Sequence, residues 1–106
     1  MIKQNLLLNI PAKIPDEICE ELFSSGGMRI ERIVSKGHCS LESDWYDQDE
    51  NEWVLLVQGK AVLEFEAGEQ LKLAAGDYLN IPAHKKHRVA WTAPEIETVW
   101  LAVFTS

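Results

Sequence analysis

The chain has 106 residues, of which 46% are hydrophobic and 25% charged, with a formal charge of −7; that suffices for one packed core and not for two. The acid excess, with a pI near 4.8, argues against nucleic acid, because phosphate backbones are bound by clustered Lys and Arg. The basic run Lys85, Lys86 and Arg88 is too short to change that, and no apolar stretch approaches the roughly 20 residues of a membrane-spanning helix.

The N-terminal segment lacks a long apolar core followed by a small-residue cleavage site, so a cytoplasmic location is expected, with no nucleic acid and no membrane as partner. Residues 1–106 read as a single domain, an N-terminal arm over 1–27 followed by a barrel over 28–106. Within the arm, Pro15 suits a first helical turn and Asp16 and Glu17 suit its positive end. Ile18, Leu22 and Phe23 sit at helical spacing, and Gly26-Gly27 closes the segment. A short helix packed on the outside of the domain is predicted there. Cys19 and Cys39 lack the close-pair spacing of a metal or redox motif and are expected to be free thiols in or near the core.

From Met28 on, short β-branched and aromatic runs alternate with Gly, Pro and charged turns. Strands are predicted near 28–35, 44–47, 52–58, 60–66, 69–73, 77–81, 86–92 and 97–104. Spacers this short demand antiparallel pairing, with hairpin turns at Gln58-Gly59-Lys60 and Ala67-Gly68-Glu69. The runs 53–57 and 99–104 are apolar at every position, so both of their faces should be covered. One face fills the domain. The other needs the terminal segment or a second copy of the chain, and a homodimer is the expectation.

Period-two alternation sends His87, Val89 and Trp91 to one face of their strand and Arg88 and Ala90 to the other. By the same rule Glu52, Val54 and Leu56 share a face, with Tyr46 and Gln48 in the same parity if the intervening turn keeps it. These positions carry a resemblance. The run EWVLLVQG from Glu52 to Gly59, followed by GDYLNIPAHKKHRV from Gly76 to Val89, resembles the two motifs of the cupin superfamily. The first of those motifs holds a His-x-His pair, then a Glu and a Gly, which Glu52 and Gly59 match; the second holds a Gly, a Pro, a Gly and a His. Gly76, Pro82 and His87 match it, with His84 standing where the Gly usually is.

The resemblance implies an all-β fold, a small antiparallel jelly-roll β-barrel with its site inside. It also implies one divalent metal, of the zinc, iron, manganese or nickel kind, held by two His, the Glu and the second-motif His. Here Tyr46 and Gln48 occupy the first-motif His positions, so a metal would rest on Glu52 and His87, with Gln48 and His84 as further candidates. A neutral amide and a protonated phenol bind first-row metals poorly, and weak, unselective binding is expected. Tyr46 and His87 are the candidate proton donors and acceptors. Trp45, Gln48, His84 and Trp91 are candidate ligand contacts at the mouth, while Trp53 and Trp100 are assigned to packing or a subunit contact. His38 and the acidic run Asp44, Asp47, Asp49 and Glu50 read as solvated surface.

Two functions remain open on the residues alone. One is a binding module that takes a small-molecule ligand in the barrel interior; the other is a metal-dependent isomerase, lyase or dioxygenase using His87, Glu52 and Tyr46.

Overall fold

The computed structural model describes residues 1–106 and contains only strands, turns and loops. No helix is long and apolar enough to cross a membrane. The strands are β1 (Ile18–Ser25), β2 (Met28–Ser35), β3 (Asn51–Gln58), β4 (Lys60–Phe65), β5 (Gln70–Ala74), β6 (Tyr78–Ile81), β7 (His87–Thr92) and β8 (Thr98–Thr105). They form a five-stranded sheet in the order β1-β2-β8-β3-β6 and a three-stranded sheet in the order β5-β4-β7, antiparallel throughout.

Two expectations are corrected. The two sheets face each other and do not close into one barrel. The predicted N-terminal helix is strand β1, paired with β2 from Ile18↔Val34 to Ser25↔Met28. A helix of two turns is marginal alone, whereas Gly26 (φ 54°) and Gly27 (φ 82°) both take positive φ and turn the chain into a hairpin. Two successive positive φ values are what a two-residue hairpin loop needs to match strand twist. The glycines that read as a helix stop are therefore a strand reversal.

The predicted strand at 44–47 is also shorter than expected: only Tyr46 pairs, through an isolated bridge to His87. Elsewhere the strands fall within a residue of the predicted bounds. The predicted hairpin turn at Ala67-Gly68-Glu69 joins the paired strands β4 and β5, whereas the turn at Gln58-Gly59-Lys60 is no hairpin: it carries the chain from β3 in the large sheet to β4 in the small one. At Gly59 (φ 94°) an added Cβ would meet Thr98 Oγ1 at 2.4 Å, so that turn requires glycine for space as well as conformation.

The core lies between the sheets. Val54, Leu56, Ala102 and Phe104 face it from the large sheet, and Leu63 and Phe65 from the small one. Leu56 is fully enclosed, and each such aliphatic side chain contributes roughly 1.5–3 kcal/mol relative to exposure. The outward set on the same strands, Trp53, Leu55, Leu101 and Val103, is only half-buried. Buried Arg32 holds the arm against this outer side. Its guanidinium donates to the carbonyls of Leu6 (3.0 Å) and Leu8 (2.7 Å) and to Glu20 Oε1. Neither cysteine is buried; both are free and exposed.

Candidate active site

Strand alternation in β3 turns Glu52, Val54 and Leu56 inward, all buried, as the pattern required. In β7 the alternation holds for His87 and Val89 and then breaks. Leu63 pairs with Val89 and Val62 with Trp91, so Ala90 is an unpaired extra residue, a β-bulge. The bulge reverses every later side chain. Thr92 is buried and Trp91 is 44% exposed on the outer face, which removes Trp91 from the expected inner set.

Between the sheets lies a cavity of about 170 Å³. Its polar lining is Glu52 and His87, with Tyr46 and Gln48 from the loop before β3, Glu17 from the approach to β1 and Glu31 from β2. Cys19, Trp100, Phe104 and Val89 are among its other walls. Glu17, Cys19 and Glu31 were missed by sequence reasoning, because a helix over the arm would have put the first two outside. The signal was available in Gly26-Gly27, which folds β1 back along β2.

His87 is 4% exposed. Its Nδ1 donates to the Lys85 carbonyl at 2.9 Å; a carbonyl only accepts, so this nitrogen carries a proton. Nε2 is left free to face Glu52 Oε1 at 3.6 Å. The same carboxylate oxygen accepts a hydrogen bond from Gln48 Nε2 at 3.0 Å. Burial, the largest single influence, opposes charge on His87. The attraction of the nearby Glu52 carboxylate and the Lys85 carbonyl together outweigh it, and the pKa lies above the ordinary imidazole value. For Tyr46, burial and the nearby Glu17 carboxylate raise the phenol pKa, so it stays protonated. Its ring centroid is 5.5 Å from that of His87.

The loop bearing Tyr46 and Gln48 is fastened to the turn before β7. Tyr46 N–H donates to the His87 carbonyl (2.7 Å), His84 N–H to the Gln48 carbonyl (2.8 Å), and Ala83 N–H to Asn51 Oδ1 (2.9 Å). His84 takes φ 64°, the left-handed region that glycine occupies most easily. That explains why the resembling motif has Gly there. The His84 ring does not line the cavity; it pairs outward with Asp47 at 2.8 Å and Asp49 at 3.5 Å. Trp45 also stands away from it, with the Arg88 guanidinium 5.7 Å from its ring.

No group of three or more His, Cys, Asp or Glu is arranged to hold a metal ion. The donors that converge are Glu52 and His87, with Gln48 already donating to Glu52 and Tyr46 protonated. A catalytic transition metal ordinarily takes three protein ligands, and this set does not supply them.

A two-sheet antiparallel domain with a histidine–carboxylate pair facing a cavity between the sheets is the class that fold and site define. The chain belongs to the cupin family, whose cupin-domain model matches residues 31–104. It is similar over 100% of its length, with 42% identity and a TM-score of 0.95, to 99% of a Ralstonia eutropha JMP134 protein provisionally described as a mannose-6-phosphate isomerase. A cupin superfamily protein of Desulfitobacterium hafniense DCB-2 shares 22% identity over 91% of this chain and 83% of its own, with a TM-score of 0.74. For the EutQ protein of Clostridium difficile the values are 14%, 86%, 70% and 0.67. These last two show likeness of fold alone. No curated protein matches the chain.

Proposed function

We propose that this cupin binds a small organic molecule in the cavity between its sheets, and that the His87–Glu52 pair exchanges a proton with it. The observation that supports this reading is the arrangement of His87, with Nδ1 tied to a backbone carbonyl and Nε2 aimed at a carboxylate inside a cavity. In that state Nε2–H is a proton donor whose conjugate base is held in one tautomer, and Glu52 offsets the charge that appears and disappears. Tyr46, protonated and beside the His87 ring, supplies a hydrogen bond to a ligand oxygen. The cavity is close in volume to one of about 150 Å³ that accommodates benzene, which suits a ligand with few heavy atoms.

The Ralstonia protein's description suggests sugar-phosphate isomerisation, a proton-transfer reaction that a histidine–carboxylate pair could serve. Phosphate itself finds no Lys or Arg among the residues that line this cavity. A metal-dependent reaction has less support here, because only two strong donors converge.

The test is a nuclear magnetic resonance screen of small hydroxylated, carbonyl and amine compounds against the indole N–H of Trp100 and the ring of His87. The Trp100 signal is assigned with Trp100→Phe. Compounds that shift both signals, with binding weakened in Glu52→Gln, are expected. Shifts confined to outward residues such as Trp91 would overturn the reading.

A further inference from the structure

The charges around the cavity are unequal. Three carboxylates line it, Glu17, Glu31 and Glu52, against a single group able to carry positive charge, His87. Two of the three are offset. Arg29 Nε reaches Glu31 at 2.6 Å, and His87 faces Glu52. The Arg29 guanidinium lies 4.3 Å from the Phe104 ring centroid, but it is committed to Glu31 and Glu50 and is not free for a ligand anion.

Glu17 remains uncompensated. Its carboxylate accepts a hydrogen bond from Ser35 Oγ at 2.7 Å and has no Lys, Arg or His within ion-pair distance. It lines both the interior cavity and a second, adjoining one walled by His38, Ser40 and Asp44, and shares that junction with Tyr46 and Val89. A ligand entering the interior from that side passes the free carboxylate and the Tyr46 side chain. Trp100 is 4% exposed, lines the same cavity, and has an indole N–H with no hydrogen-bond partner. A buried donor left unmatched is costly, and it calls for an acceptor oxygen.

We propose that the occupant of the cavity is a small protonated amine that also carries a hydroxyl or carbonyl oxygen, its ammonium bound at Glu17 beside the Tyr46 ring. This rests on the cavity being the ligand site and adds the charge and chemical class of the ligand. An ammonium gains from the one carboxylate left uncompensated, while an anion is repelled by it. The chain's net charge of −7 draws cations toward the protein in the same sense.

The test uses three probes on one carbon skeleton: aminopropanediol with a terminal amine, glycerol, and glycerol 3-phosphate. Each is titrated into the intact protein while the Trp100 indole N–H and His87 signals are followed. Aminopropanediol should bind at least about tenfold more tightly than glycerol, and glycerol 3-phosphate more weakly than either. In Glu17→Gln the amine's advantage should fall to within about twofold of glycerol. If glycerol 3-phosphate moves the Trp100 signal as readily as the amine, the cavity is the ligand site but the charge assignment is overturned. Equal affinities for all three probes overturn it likewise. If no probe moves that signal, the inference and the reading of the cavity fall together.

Discussion

His87 Nε2 and Glu52 Oε1 lie 3.6 Å apart, and they reach that distance from different sheets, β7 of the three-stranded one and β3 of the five-stranded one. The pair therefore spans the cavity and links its chemistry to the packing of the two layers.

Protonation of His87 should couple to stability. Its folded-state pKa is raised above the ordinary imidazole value near 6.5, so folding favours the charged ring. The stabilisation is fully present below that ordinary value and is lost as pH rises through the raised one. Thermal melts of the native protein and of His87→Gln should differ most in mildly acidic solution, and the difference should shrink toward higher pH. A difference that grows with pH would contradict the ion pair. In Glu52→Gln the His87 pKa, followed by the chemical shifts of its ring, should fall, because burial then opposes the charge with less against it.

Metal binding is expected to be weak, since Tyr46 and Gln48 stand in the cavity where the resembling motif has imidazoles. Replacing both, Tyr46→His with Gln48→His, would assemble four strong donors around one space. Zinc or nickel affinity should rise by well over about tenfold in calorimetric titration of metal-stripped protein, and His87→Ala should remove that gain. An unchanged affinity would mean that the two side chains cannot reach a common point with His87 and Glu52.

Trp91 and Trp100 should behave in opposite ways. Trp91→Ala, at an outward position past the bulge, should change stability by no more than about 1 kcal/mol and leave probe binding in the cavity within about twofold. Trp100→Ala empties part of the core and should cost about 3–5 kcal/mol. Denaturant titration of the two variants compares them directly, and similar losses would place Trp91 inside after all.

The half-buried outer row Trp53, Leu55, Leu101 and Val103 is the part of the large sheet that a second copy of the chain would cover. Light scattering should give about twice the chain's 12.0 kDa at micromolar concentration. A charged residue there, as in Leu101→Glu, should shift the population to monomer, and a native protein that runs as a monomer throughout would remove the dimer.

Alternation and turn chemistry alone were enough to read seven of the eight strands, the antiparallel pairing and the inward parity of Glu52 and of His87. These are local properties: a strand's side chains alternate whatever lies beyond it, and Gly68 between two strand-like runs has few uses except a reversal. The failures each needed information from a distant part of the chain. Ala90 became a bulge only because β4 paired with both halves of β7 in registers one residue apart, and that turned Trp91 outward. Likewise 18–25 could satisfy a helix's spacing or a strand's hydrogen bonds, and pairing with β2 decided it, bringing Glu17 and Cys19 to the cavity. His84 reads as a candidate ligand until its backbone φ and its contacts with Asp47 and Asp49 turn the ring outward. Sequence determined which residues could form the site. Which of them meet there was decided by sheet pairing, because one extra residue in a strand reverses every side chain beyond it.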